Sequence, residues 1–141
     1  MSNMVKTIDM QDLMNLNLFE KITKVRTNFC FKYNDVIYFC VPQTMLKKAL
    51  GKDAENLKNI SYKIRRRVRI IAVPNGPKDI KKFIQAVVAP VEVNEISVDG
   101  NEIKITGTRM TKASLIGRNK CKLIELQKIV KDFFGKDLKV I

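Results

Sequence analysis

The sequence predicts an α+β fold made of two small units in tandem. Three observations carry this. Short apolar segments switch between helical and strand spacing, the order in which they do so reads αββααβ twice, and a glycine, Gly51 or Gly117, stands between the second and third helices of each copy. The predicted units are residues 1–74 and 75–141, each a three-stranded mixed sheet with helices packed on one face. At roughly 70 residues each, a single core is marginal, so the two units are expected to share an interface and to move as one body.

In the first unit, Asp9 is placed to cap a helix over MQDLMNLNLFEKI. Asp12 falls in its first turn, and Met10, Leu13, Met14, Leu16, Phe19 and Ile22 supply apolar positions. The run VRTNFCFKY sets Val25, Thr27, Phe29, Phe31 and Tyr33 on one side of a strand. Asn34-Asp35 then turns the chain into VIYFCV, whose aromatic and β-branched content suits the second arm of a hairpin. Both faces of VIYFCV are apolar, which asks for cover on both sides. After Pro42, QTMLKKAL has helical spacing at Met45, Leu46, Ala49 and Leu50, and Gly51 ends it as a C-cap glycine does. KDAENLKNISYKI is helical again through Leu57, Ile60 and Ile64. RRRVRIIAV alternates Val68, Ile70 and Ala72 against Arg67 and Arg69, with Arg65 expected to join the cationic face, and PNGP closes the strand.

The second unit repeats the order. Pro77 suits a first helical turn, and KDIKKFIQAVV carries Ile80, Phe83, Ile84, Val87 and Val88 on one stripe that Pro90 ends. VEVNEISV and NEIKITGT flank Asp99-Gly100, a dipeptide suited to a type I′ turn. A turn centred there sets Ile96 opposite Ile103 and Glu95 opposite Lys104. TKASLI is a short helix ended by Gly117. CKLIELQKIVKDFF resumes with Leu123, Leu126, Val130 and Phe133 on one face, and DLKVI is a last strand.

Charge bounds the function. Lys and Arg number 27 against 14 Asp and Glu, a net charge of +13. Split at Pro74, the halves carry +8 and +5, so the excess is spread through the folded chain and is not confined to a tail. Such a surface concentrates polyanions. No run reaches the ~18 apolar residues of a membrane span, and no signal core opens the sequence, which points to a cytoplasmic protein without membrane attachment. Cys30, Cys40 and Cys121 lack CxxC spacing and there is no His, so the common zinc patterns are missing, and the cysteines read as small hydrophobes in a reducing compartment. With no Walker-type loop, no nucleophile elbow and no paired acids, neither an enzyme nor a cofactor is expected. Cys121, at a helix start among cations, is the one cysteine not dismissed as inert.

An αββααβ order with a glycine between its second and third helices resembles the type II KH domain, here as two tandem units. The KH junction carries a GXXG loop whose glycines let the nucleic-acid backbone approach, beside the amides of the next helix. The resemblance implies that Gly117, Arg118, Asn119 and Lys120 form this loop in the second unit, with Lys112 and Lys122 close by. It also places Leu115, Ile116, Leu123, Ile103 and Ile105 in an apolar groove for bases. Lys120 stands where the second glycine is expected. In the first unit the loop is Gly51, Lys52, Asp53 and Ala54, again without the second glycine. Asp53 is either a cap for the following helix or part of an RNA contact.

Fused type II KH pairs resemble the archaeal NusA-like family of transcription factors. That resemblance implies binding to single-stranded nascent RNA, with RNA polymerase as a further partner and an influence on termination or antitermination; the chain is expected to be a monomer. The alternative is an adaptor docking on polymerase or a ribosomal assembly with vestigial loops. Without Trp and with 7% aromatic residues, base stacking has few platforms, so phosphate neutralisation should dominate. About five neutralised phosphates give a salt slope of roughly −3.5. The cluster Arg65-Arg66-Arg67-Val68-Arg69 either extends the RNA track or protects an exposed sheet face by charge.

Overall fold

The computed structural model describes residues 10–141, so Asp9 and its expected capping role lie outside the described residues. Two compact units emerge, one over residues 10–73 and the other over 74–141. Each holds a three-stranded mixed sheet and three helices in the order αββααβ.

The first unit comprises α1 (Met10–Thr23), β1 (Phe29–Tyr33), β2 (Val36–Val41), α2 (Leu46–Leu50), α3 (Glu55–Ile64) and β3 (Arg67–Ala72). β1 and β2 pair antiparallel with Tyr33 opposite Val36, leaving Asn34-Asp35 as a two-residue loop. Both loop residues have positive φ, 52° and 62°, as a type I′ turn needs. β3 lies parallel to β2, and a parallel neighbour requires a crossover, which α2 and α3 provide. The period of two sends Ile37, Phe39 and Val41 into the helix-side core with Cys30, Val68 and Ile70. Leu16, Phe19, Ala49 and Ile60 meet them from the helices, Phe19 stacking on Phe39 with ring centroids 4.5 Å apart. The opposite face carries Phe31 stacked on Tyr38 at 5.0 Å, with Tyr33 edge-on at 6.4 Å. Every residue of β2 is buried, on both faces. Burial pushes the Tyr38 phenol above its ordinary pKa, opposed in part by the hydrogen-bonded Arg69 and by Arg67.

Three expectations for this unit are corrected. Met10, Leu13 and Met14 are exposed, Met10 at 71%, while Leu16 and Phe19 are buried and Ile22 partly so. At 3.6 residues per turn these two triads lie on opposite sides of α1, and only one side can meet the sheet. β1 begins at Phe29, not at Val25. Just before it, the Thr27 hydroxyl donates to the Cys40 carbonyl and accepts from the Phe29 N–H at 3.1 Å, so a side chain replaces ladder bonds there. Arg65 does not join the strand, because it ends α3 in left-handed backbone at φ 55°.

The second unit comprises α4 (Ile80–Val88), β4 (Glu95–Asp99), β5 (Glu102–Thr106), α5 (Arg109–Ile116), α6 (Cys121–Phe134) and β6 (Asp137–Val140). All five stripe residues of α4 are buried, and Phe83 packs on Phe133 at 4.7 Å and on Phe134 at 5.7 Å. The Gln85 amide donates to the Val91 carbonyl at 2.8 Å and its oxygen accepts from the Val93 N–H at 3.0 Å, pinning the segment that enters β4. β5 is the central strand, antiparallel to β4 and parallel to β6. The β4–β5 register differs from expectation, with Ile96 opposite Ile105 and Ser97 opposite Lys104. The turn centres on Gly100-Asn101, of which only Gly100 has positive φ, the pattern of a type II′ turn. A shift of two keeps the side-chain faces, so Ile96, Ile103 and Ile105 still enter the core. The Thr108 hydroxyl caps α5 by accepting from the Thr111 N–H at 3.2 Å. No described helix is long and apolar enough to cross a membrane.

Candidate nucleic-acid interface

The two glycine junctions have one backbone geometry. Gly51 sits at φ 78°, ψ 176° and Gly117 at φ 74°, ψ 178°, a region open essentially to glycine alone. Two residues on, Asp53 (φ 53°, ψ 32°) and Asn119 (φ 54°, ψ 29°) are left-handed. So are the fourth residues, Ala54 (φ 58°, ψ 30°) and Lys120 (φ 62°, ψ 19°). Each junction closes on itself, with Ala54 N–H donating to the Gly51 carbonyl at 3.2 Å and Lys120 N–H to the Gly117 carbonyl at 3.3 Å. The position where a second glycine is expected therefore keeps a glycine-like conformation in both copies while carrying a side chain. Sequence spacing located that position but could not reveal its φ.

Space at the first glycine is equally tight. A Cβ on Gly117 would lie 2.8 Å from Lys122 Cγ, and one on Gly51 would lie 2.9 Å from Asn56 Nδ2 and 3.3 Å from the Asn56 backbone nitrogen. Asn56, whose amide donates to the Lys48 carbonyl at 3.3 Å, ties α3 to the end of α2, a support that sequence reasoning missed.

The electrostatics of the two junctions diverge. Neither α3 nor α6 has a side-chain cap, so the first-turn amides are left to other partners. α3 carries Glu55 in its first turn with Asp53 just before it, so its positive end already faces carboxylates. α6 has no acid in its first turn, and Arg118, Asn119 and Lys120 are exposed before it. Lys112 and Lys122 are partly exposed on either side of the junction. This end of α6 is unneutralised, which suits an external anion such as a phosphate. The expected Asp53 cap is corrected: the residue preceding α3 is Ala54, and no side chain caps the helix.

Among the residues assigned to the groove, Leu115, Ile103 and Ile105 have no exposed surface and belong to the core of the unit, so their side chains cannot touch a base. The central strand and the inner face of α5 supply that core, and apolarity alone did not separate core from groove. Ile116 and Leu123 are partly exposed beside the junction, and so is Gly51, whereas Lys52 is exposed. The described residues contain no group of His, Cys, Asp and Glu able to hold a metal.

No protein-family model matches the chain. It is similar to the probable transcription termination protein NusA of Methanococcus vannielii, 29% identical over 100 residues, which are 70% of this chain and 56% of that protein. The protein of the same name in Methanocaldococcus jannaschii is 30% identical over 62% of this chain and 46% of its own length. That in Thermoplasma acidophilum is 24% identical over 65% of this chain and 62% of its own. The aligned stretches thus span about half to three fifths of the relatives' lengths. Among solved structures, that of APE1850 superposes with a TM-score of 0.63 at 16% identity, over 95% of this chain and 99% of that one, a likeness of fold.

Proposed function

We propose that this chain, NusA-like in sequence, is a non-catalytic RNA-binding transcription factor whose two units, 1–74 and 75–141, are tandem type II KH domains. The single observation that supports this most is the Gly117–Lys120 junction: a glycine-only entry, two left-handed residues and an uncapped, acid-free helix end amid cations. A phosphate of single-stranded RNA accepts from the first-turn amides of α6, while Arg118, Lys120, Lys122 and Lys112 neutralise its neighbours. Gly117 leaves room for the strand to pass, and Ile116 offers a partly exposed apolar edge. Gly51 and Lys52 make the weaker contact, because Asp53 and Glu55 repel phosphate there. The name its relatives bear speaks of transcription termination, which supports a role in that process; the action on nascent RNA beside RNA polymerase belongs to the proposal.

The alternative, an adaptor with vestigial loops, draws its support from the missing second glycines. The left-handed backbone that both copies keep at that position weighs against it.

The test is a charge reversal. Arg118→Asp with Asn119→Asp places two carboxylates at the end of α6 and should weaken binding of a fluorescent single-stranded 12-mer RNA by at least tenfold, with the thermal unfolding midpoint changed little. Unchanged affinity in the folded variant would eliminate the loop as the RNA site.

A further inference from the structure

The densest charge in the chain, Arg65-Arg66-Arg67, lies at the corner between α3 and β3 and plays no part in the junction loop. The corner is a fixed turn. Arg65 adopts φ 55°, the Ser61 hydroxyl donates to the Arg66 carbonyl at 2.6 Å, and the Arg66 N–H donates to the Ser61 carbonyl at 3.3 Å. All three arginines are exposed on this pinned backbone. Beside them opens a cleft of about 500 Å³ lined by Leu57, Lys58, Ser61, Tyr62, Arg67 and Val68. Tyr62 stands 84% exposed at its edge, an aromatic ring among cations.

The same corner of the second unit makes a control within the molecule. Between α6 and β6 lies a cleft of about 530 Å³ whose lining includes Gln127, Lys128, Lys131, Lys139, Glu102 and Asp137. Two of its three lysines pair with acids, Lys131 with Asp137 at 3.4 Å and Lys139 with Glu102 at 3.6 Å. Counted from the junction glycines, Lys128 is the counterpart of Tyr62, so the aromatic ring is missing there. Among the described residues, Lys58, Arg65, Arg66 and Arg67 enter no such ion pair. The two copies thus differ in opposite senses: the second has a junction without acids and a corner whose lysines are mostly paired, the first a junction with acids and a corner whose cations are unpaired.

We propose that the α3–β3 corner is a second contact site for single-stranded RNA, in which one base stacks on Tyr62 and the flanking phosphates lie against Lys58, Arg66 and Arg67. An exposed ring flanked by unmatched cations fits a strand that offers π-faces and phosphates in alternation. An acidic protein surface would use the cations and leave the ring idle. The ten residues of α3 put the corner about 15 Å from the first unit's own junction, so the two are separate places on the unit. The inference rests on the reading that the chain binds RNA, but not on the Gly117 junction being the place where it does so.

The test uses the full chain, a fluorescent single-stranded 20-mer RNA and a potassium chloride titration. Replacing Lys58, Arg66 and Arg67 together by Ala should reduce the steepness of the salt dependence by about 2. Tyr62→Ala should weaken binding by about tenfold at an unchanged slope, and Tyr62→Phe should bind as the parent does. An unchanged slope in the triple variant, or Tyr62→Ala binding like the parent, would overturn the proposal. Loss of poly-glutamate binding with RNA affinity intact would overturn it too, in favour of an acidic protein partner. Arg118→Asp/Asn119→Asp, run in parallel, separates the two sites. If that variant is silent while the corner variants weaken binding, the junction reading fails and the corner stands; the converse overturns the corner alone.

Discussion

Lys120 and Ala54 hold left-handed backbone without being glycine, at φ 62° and 58°, and replacing either by glycine should stabilise the protein. The left-handed conformation costs an L-residue about 1–2 kcal/mol, and glycine returns about 0.4–1 kcal/mol of that through the greater freedom of the unfolded chain. The net gain is about 0.5–1 kcal/mol, or roughly 4 °C in the midpoint of a unit this size. Thermal and urea unfolding followed by circular dichroism measure it. The two substitutions match in strain and differ in charge, which makes them a pair. Ala54→Gly should leave RNA binding alone, whereas Lys120→Gly should flatten its salt dependence by about 0.7, the share of one phosphate contact. If both variants lose stability, the strain argument is wrong. If Lys120→Gly binds RNA more tightly at an unchanged slope, the ammonium does not reach phosphate and close backbone approach governs the site instead.

Gly117→Ala should cost about 2 kcal/mol in urea unfolding, because φ 74° with ψ 178° excludes a side chain and the new Cβ meets Lys122 Cγ at 2.8 Å; a cost near zero would mean that the junction relaxes freely. Tyr38 supplies a pH test. Its pKa is raised by burial above 10.0, so the unfolded chain loses the phenolic proton first. The resulting stability is complete below the unfolded pKa and falls as pH rises through the folded one. Tyr38→Phe should therefore lose less stability between pH of about 9 and 11 than the parent does, read from urea midpoints. Phe39→Ala, which removes a fully buried ring stacked on Phe19, should cost about 4 kcal/mol at an unchanged urea slope.

Several features could be read in the sequence because short-range chemistry dictates them. Asn34-Asp35 turns where a two-residue hairpin needs positive φ twice, and both residues supply it. The α4 stripe is buried at each of its five positions, since a single helical face carries all of its large apolar residues. α1 failed this reading because its apolar residues occupy two opposite faces, and periodicity alone cannot say which face meets a sheet. The hairpin register slipped by two because Gly100 can open a type II′ turn as readily as it can close a type I′ one. At the site, the charge and exposure of Arg118, Asn119 and Lys120 follow from their residue types, whereas the burial of Leu115 depends on α6 and β6 packing against α5.

By itself the sequence determined the αββααβ order, its repetition, the junction glycines and the cationic excess, all consequences of spacing, turn chemistry and composition along the chain. Only the tertiary structure decided that the fourth junction residues are left-handed, that Leu115 belongs to the core and not to a groove, and that Arg65, Arg66 and Arg67 enter no ion pair among the described residues while Lys131 and Lys139 of the counterpart corner pair with Asp137 and Glu102. The last of these depends on residues distant in sequence: Lys139 meets Glu102 only because β6 lies parallel to β5. A charge acts on a ligand only to the extent that its neighbours in space leave it unmatched, and those neighbours are chosen by the fold.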